Sequence, residues 1–212
     1  MKRIILLGAT SNISKFLIPE LLKQADVQLT LFARHATSRL KEYASMPNVS
    51  LVDGNWNRVA DLKRALTDKE IVYLATGHFA TANQNVVQAM KSAHVDRLVV
   101  AGGLGIYDEV VGEFGRWNAR MMGDYTEIKR AAKVIDDSEL NYTFLRMAWL
   151  YNDAQHTDYK VIPQGGEFKD TQVTRQAVAK LIAKIMQHPD LYQHTSIGVA
   201  EPNTAWSKPS FY

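Results

Sequence analysis

The feature that most constrains this chain is a repeated alternation. Short apolar runs rich in branched residues are each followed by a stretch with helical spacing. Residues 4–7, 27–33, 49–52, 71–75, 98–101 and 142–147 read as strands. Their near-continuous apolar character is what a strand buried on both faces requires. Residues 12–24, 58–67, 81–94 and 119–136 read as helices, with Ile13, Leu17 and Leu21 on one face of the first and Val86, Val87 and Met90 inward on the third. A shorter helix is expected at 38–43, and 103–116 reads as a polar, glycine-bearing connection. Pro19 falls inside the first helix. An interior proline costs about 3 kcal/mol, so a kink is expected there. Beyond residue 147 the pattern loosens into an extended piece near Val161, a helix over 174–187 and a strand over 196–199. Strict strand–helix alternation with short connections predicts an α/β fold, a Rossmann-type doubly wound parallel sheet with helices on both faces. A length of 212 residues suits a single domain, residues 1–212, in which the part from about 148 to 212 forms a small C-terminal substrate lobe.

Composition removes several function classes. The chain has no cysteine, so disulfides and thiolate metal sites are excluded. The six histidines are scattered without a ligand spacing, and no metal is expected. The apolar stretch after Lys2 and Arg3 is broken by Gly8-Ala9-Thr10-Ser11-Asn12, too early for a signal segment or a membrane span. A cytoplasmic protein with no membrane partner is therefore expected. The net charge of +3 comes from Lys and Arg without a basic block, which argues against nucleic acid as a partner.

In a doubly wound sheet, ligands bind beyond the carboxyl ends of the strands, near the point where strand order reverses. The first strand ends at Gly8. Dinucleotide loops usually carry two further glycines, three and six positions on, but this chain has Ser11 and Ser14 there. A helix starting here would offer free N–H groups and a positive dipole end to a diphosphate. Thr10, Ser11 and Asn12 can cap that helix and donate to phosphate oxygens, although the same residues also suit an ordinary strand-to-helix turn. The second strand runs into Arg34 and Arg39, with no Asp or Glu from 27 to 41. An acidic residue there suits the ribose hydroxyl of NAD, whereas a guanidinium suits the 2′-phosphate of NADP. The pattern therefore favours NADP(H) over NAD.

At this point the chain resembles the atypical short-chain dehydrogenase/reductase superfamily, specifically its small NmrA-like NAD(P)-binding group, near the flavin and biliverdin-IXβ reductases. The stretches that carry the resemblance are LLGATSNIS, FARHATSRL, VDGNWNRVADLKRAL, VDRLVVAGGLGIYDE, LNYTFLRMAWL and VTRQAVAKLI, in that order over nearly the whole length. The resemblance implies a cofactor site built from Gly8, Thr10, Ser11, Asn12, Ile13, Arg34, Arg39, Asn55, Trp56, Ala75, Thr76, Gly77, Gly102 and Lys129. It also implies a catalytic Tyr-x-x-x-Lys pair, for which YTEIK supplies Tyr125 and Lys129. In that scheme Lys129 bonds the nicotinamide ribose and lowers the pKa of Tyr125, whose phenol is otherwise near pKa 10. Three departures stand out. Serines replace two loop glycines, Asn55 replaces an aspartate that accepts from the adenine amino group, and Gly102-Gly103 replace a serine pair that polarises a substrate carbonyl.

Further candidates are less specific. His78 follows the fourth strand and could approach the nicotinamide, although a lone loop histidine reads first as a surface residue. Trp117, Trp149 and Tyr151 could line an apolar substrate pocket or serve only as core. Trp206 and Phe211 could pack on the body or on a second subunit. The expected activity is reduction of a small organic or flavin-like acceptor by NADPH. The alternative is a non-catalytic NADP-sensing regulator with a protein partner, which the missing serine favours; a homodimer is compatible with either. A sugar-nucleotide epimerase is the poorer reading, because it needs a larger C-terminal lobe.

Overall fold

The computed structural model describes residues 1–212. β1 (Lys2–Leu7), β2 (Val27–Ala33), β3 (Val49–Asp53), β4 (Ile71–Leu74), β5 (Arg97–Gly102), β6 (Asn141–Met147), β8 (Lys160–Ile162) and β10 (Thr195–Ala200) form one sheet in the order β3-β2-β1-β4-β5-β6-β10-β8. Neighbours pair in parallel except β8, which runs antiparallel to β10 at the edge. Leu7 is level with Phe32 on one side and Leu74 on the other, so strand order reverses at β1 and β4 with their carboxyl ends aligned. This is the Rossmann-type doubly wound sheet.

The run Ile4-Ile5-Leu6-Leu7 shows why the strands are apolar throughout. Ile4 and Leu6 join one core with Leu17, Leu21 and Leu181, while Ile5 and Leu7 join another with Leu62, Val86 and Ile135. Alternate side chains thus serve opposite faces of a sheet covered twice. One face carries α1 (Ser14–Leu22) and α7 (Arg175–Gln187); the other carries α3 (Val59–Leu66), α4 (Ala80–Ser92) and α6 (Thr126–Asp136). Truncating one of these buried aliphatic residues to alanine costs about 2–5 kcal/mol.

Two expectations change. The helix expected over 119–136 is two helices, α5 (Gly112–Met122) and α6, and the polar connection before them is correspondingly shorter. The break falls at Gly123, at φ 66° and ψ −116°, and the Asp124 carboxylate accepts from the Thr126 N–H at 2.8 Å to start the next helix. Glycine is the residue that reaches such a backbone conformation cheaply. The helix expected at 38–43 is one short turn, α2 (Ala36–Arg39), followed by a 3-10 turn at Lys41–Tyr43. α1 continues across Pro19, whose exposed position leaves the orphaned Lys15 carbonyl to water. Beyond β6, the short strands β7 (Trp149–Tyr151) and β9 (Gln172–Thr174) pair into a second sheet beside the carboxyl edge of the first. No helix is long and apolar enough to cross a membrane.

Candidate functional site

Two clefts open at the carboxyl edge of the large sheet, one on each side of the reversal in strand order. The first, of about 200 Å³, lies over β1, β2 and β3 and is lined by Gly8, Thr10, Arg34, Arg39, Asn55 and Trp56, together with Phe32, Ala33, Gly54 and Asn57. Gly8 has φ 92°, and a Cβ there would come within 2.7 Å of the Ala75 Cβ and 2.9 Å of the Trp56 ring. Only glycine fits this turn, for reasons of both backbone and space. Gly54 is constrained by space alone, because a Cβ there would lie 2.2 Å from the Phe32 ring. The Thr37 N–H and hydroxyl both donate to the Asp53 carboxylate, at 3.1 and 2.8 Å, and so tie α2 to the end of β3. These contacts hold that carboxyl below the ordinary carboxylate range. The guanidinium groups of Arg34 and Arg39 make no ion pair or hydrogen bond. The Asn55 amide oxygen accepts from the Asn57 N–H at 3.0 Å and keeps a second lone pair.

The two serines in place of glycines build the turn rather than obstruct it. The Ser11 hydroxyl donates to Ser14 Oγ at 2.8 Å and accepts from the Ser14 N–H at 3.1 Å. Ser14, fully buried, donates onward to the Gly8 carbonyl at 3.0 Å. Meanwhile the N–H groups of Thr10, Asn12 and Ile13 find no acceptor within the chain. Three free donors at the amino end of a helix are a cradle for an anion with delocalised charge. Gly8 φ and these donors together fit the diphosphate of a dinucleotide.

The second cleft, of about 380 Å³, lies over the ends of β5 and β6. Its lining includes His78, Gly102, Gly103, Asn118, Trp149 and Arg175, with Phe211 and Tyr212 along one side. A Cβ at Gly102 would sit 1.8 Å from the Phe144 ring, so no serine fits there while Phe144 fills the space beneath. Gly103 faces His78, whose Nε2 lies 3.5 Å from where a Cβ would be. His78 is half-buried on the cleft wall rather than out on the surface. Its Nε2 is buried without a hydrogen-bond partner, and burial holds the imidazole below the ordinary histidine range, the Gly102 backbone opposing. The ring of Trp149 stands 5.0 Å from that of Trp117 and 5.1 Å from that of Tyr212. Tyr151 points elsewhere, donating to Glu201, with the Phe211 ring 5.5 Å away. Trp206 is exposed.

Tyr125 sits just behind the second cleft. Its hydroxyl oxygen accepts from Asn118 Nδ2 at 2.7 Å, and Asn118 Oδ1 accepts from the Trp149 indole at 2.8 Å. The Tyr125 proton itself has no acceptor in the chain. Burial, with Glu109 and Asp108 nearby, raises the phenol above its ordinary value. That is opposite to the lowering the family scheme implies. Lys129 is committed to Asp108 at 2.7 Å, and its ammonium lies 6.0 Å from the Tyr125 ring centre. The pair is near, but the lysine has an acid of its own.

The remaining candidates separate cleanly. Ala75 floors the turn beside Gly8. Gly77 lies in neither cleft. It packs on Val100, 2.5 Å from where its Cβ would be, and its carbonyl accepts from Asn83. Thr76 is half-buried between them. Phe32, Gly54, Asn57, Arg175 and Tyr212 line the clefts without having been singled out in the sequence. All but Tyr212 lie within the stretches that carry the family resemblance, Gly54 beside Asn55 and Arg175 in VTRQAVAKLI.

Comparison with known proteins agrees with this geometry. Residues 8–189 match the family described as NAD(P)H-binding. A short-chain dehydrogenase/reductase (wide type) from Veillonella parvula, solved in complex with NADP, is 32% identical over 99% of each chain, with a TM-score of 0.93. A Rossmann-fold NAD(P)-binding family protein from Shigella flexneri is 31% identical over 100% of each chain, with a TM-score of 0.83. The anaerobilin reductase from Escherichia coli O157:H7 shares the fold at 18% identity, with a TM-score of 0.77 over 99% of this chain and 100% of that one. No curated protein matches the sequence.

Proposed function

The chain belongs to the NAD(P)H-binding family, in the short-chain dehydrogenase/reductase superfamily, and from that premise we propose that it is an NADPH-dependent reductase of a small organic or flavin-like acceptor in the cytoplasm. The observation that carries the reading is the run of three free N–H groups at Thr10, Asn12 and Ile13 with an open cleft on either side. An extended dinucleotide laid across the β1–β4 reversal would have its adenosine held by the first cleft and its nicotinamide by the second. Arg34 and Arg39, free of acidic partners, then favour the 2′-phosphate of NADP. Trp56 and Asn55 would hold the adenine, and Gly8 and Ala75 would let the backbone approach the diphosphate.

When bound, NADPH supplies a hydride. The chain's own residues orient the acceptor and hold a proton. Aromatic rings on one wall of the second cleft suit a planar, conjugated partner. Tyr125 keeps its proton at neutral pH because burial and two carboxylates oppose its loss. It therefore serves reduction as a donor at Oη, with Asn118 fixing the hydroxyl, and not as a base. Because Gly102 leaves no room for the serine of the family's usual set, positioning carries more of the catalysis than carbonyl polarisation.

The test is NADPH oxidation over a panel of quinones, flavins and aldehydes, with Tyr125→Phe beside wild type. Turnover with at least one class, slowed in the variant, is expected. The filled serine position also favours a second reading, a non-catalytic NADP sensor. Tight NADP binding without oxidation on any acceptor would select it.

A further inference from the structure

Arg175 is anomalous among the residues of the second cleft. Most of that lining is apolar, from Leu104, Met147, Trp149 and Leu150 to Phe211. Into it the first residue of α7 brings a guanidinium with one hydrogen bond, from Nη1 to Asn152 Oδ1 at 3.0 Å. No carboxylate lies within 4.0 Å of it, and four of its five N–H donors have no acceptor in the chain. Arg175 is half-buried, and the two fully enclosed arginines of this protein are compensated. Arg146, fully buried, faces Glu109 at 3.1 Å and donates to Ser196 and to the Pro163 carbonyl. Arg97 bonds Thr143 and the carbonyls of Asn141 and Leu191. For Arg175, burial opposes the charge and no acidic neighbour answers it. It also stands at the positive end of a 13-residue helix, a position that disfavours a cation.

We propose that Arg175 is the anchor for a carboxylate on the hydride acceptor, so that the substrate class is a planar conjugated molecule bearing a carboxylate group. The inference deepens the reductase reading and rests on it for the word acceptor. The planar fork of a guanidinium matches a carboxylate in a two-bond geometry, and the surrounding apolar walls strengthen that contact by excluding water. Arg175 lines the second cleft and not the first; because α7 packs beside α1 on one face of the sheet, NADP+ affinity in an Arg175 variant separates an acceptor carboxylate from the cofactor's own phosphates. Trp149 and Tyr212 provide faces for the conjugated part, and the charged end is held at α7.

The experiment compares 2-naphthoate with 2-naphthamide, which have nearly the same shape and differ in charge. Both are titrated calorimetrically into the full chain, free and saturated with NADP+. The acid should bind wild type about ten-fold more tightly than the amide, the difference one charged hydrogen-bonded pair supplies. Arg175→Gln should abolish the preference while leaving NADP+ affinity unchanged, and Arg175→Lys should keep part of it. Equal affinities in wild type, no binding of either probe, or an acid preference that survives Arg175→Gln would overturn the proposal. Failure of NADP+ itself to bind would instead sink the reductase reading, and the titration of the free chain would still decide the role of Arg175.

Discussion

The two clefts at the sheet edge are built by opposite means. The first draws its lining from three short segments, 8–10, 32–39 and 54–57, each the end of a strand or the turn after it. Its fit depends on backbone: the positive φ of Gly8, the close approach at Gly54 and the free N–H groups that open α1. The second gathers side chains from six separate places, at His78, Gly102, Asn118, Met147, Arg175 and Tyr212. Its character depends on which side chain fills which space, as Phe144 beneath Gly102 shows. A dinucleotide is a constant ligand, and backbone geometry suffices to hold it. The second cleft is assembled from distant segments, and it is there that local pattern stops.

The strongest way to break this contrast is Gly8→Val. A branched side chain at φ 92° strains the backbone by about 1–3 kcal/mol, and its Cβ collides with Ala75 and Trp56. Dinucleotide binding measured by calorimetry should fall by more than about 100-fold, counting strain and lost approach together. Wild-type affinity in the variant would show that backbone does not govern the first cleft. Next in size is Gly102→Ser, which restores the family's residue. With the new Cβ 1.8 Å from the Phe144 ring, overpacking should cost about 3 kcal/mol, the upper end of the ordinary range. Adding Phe144→Leu should return part of the loss, because the two sites share one space. Urea unfolding reads both. A Gly102→Ser protein as stable as wild type would mean that Phe144 yields freely and does not close the position.

That distinction also explains what the sequence disclosed. Alternating apolar runs made the doubly wound sheet legible, because burial on both faces leaves a mark at every position of a strand. Gly8, Arg34, Arg39 and Asn55 were legible because each lies within a few residues of a strand end. Ser11 and Ser14 read as defects, yet their hydroxyls complete the turn; no spacing rule records that two serines can bond each other. Helix spacing ran on through Gly123 because its neighbours keep the period, while the break depends on one backbone conformation. His78 was placed after the fourth strand and Arg175 lay within VTRQAVAKLI, yet neither stretch showed what the side chain would face. Each is an isolated polar residue whose setting comes from segments far away in the chain, Gly103 for the first and Asn152 with the cleft walls for the second.

Arg34→Ala sharpens the comparison at the first cleft alone. A guanidinium bonded to a phosphate contributes about 1.5–3 kcal/mol. The variant should therefore bind NADPH about ten- to a hundred-fold more weakly and leave NADH affinity as it was. Parallel calorimetry with both cofactors gives the ratio directly. Equal losses for the two would show that Arg34 acts through the turn and not through the 2′-phosphate. The second cleft should be untouched, so 2-naphthoate affinity in the same variant serves as the control.

The smallest effect lies in the second cleft and concerns pH. The first cleft has no lining group that changes charge near neutrality, since its charged residues are arginines. The second has His78, held neutral by burial with its Nε2 unpartnered. A histidine whose pKa is lowered on folding leaves stability intact above the unfolded value of about 6.5. As pH falls below that value, the unfolded chain takes up a proton that the folded chain resists, and stability declines until the folded group titrates too. His156 works in the opposite sense. Its exposed ring is bonded to Asp153 at 2.8 Å and its pKa is raised, so its contribution is present at low pH and is lost as pH rises. His78→Asn should thus remove the acid-side decline and leave the His156 trend, with a change in slope of no more than one proton, about 1.4 kcal/mol per pH unit. Urea midpoints between pH 5 and 8 measure it. An unaltered slope in the variant would mean that the imidazole of His78 meets water, and that the space opposite Gly103 is less enclosed than its lining implies.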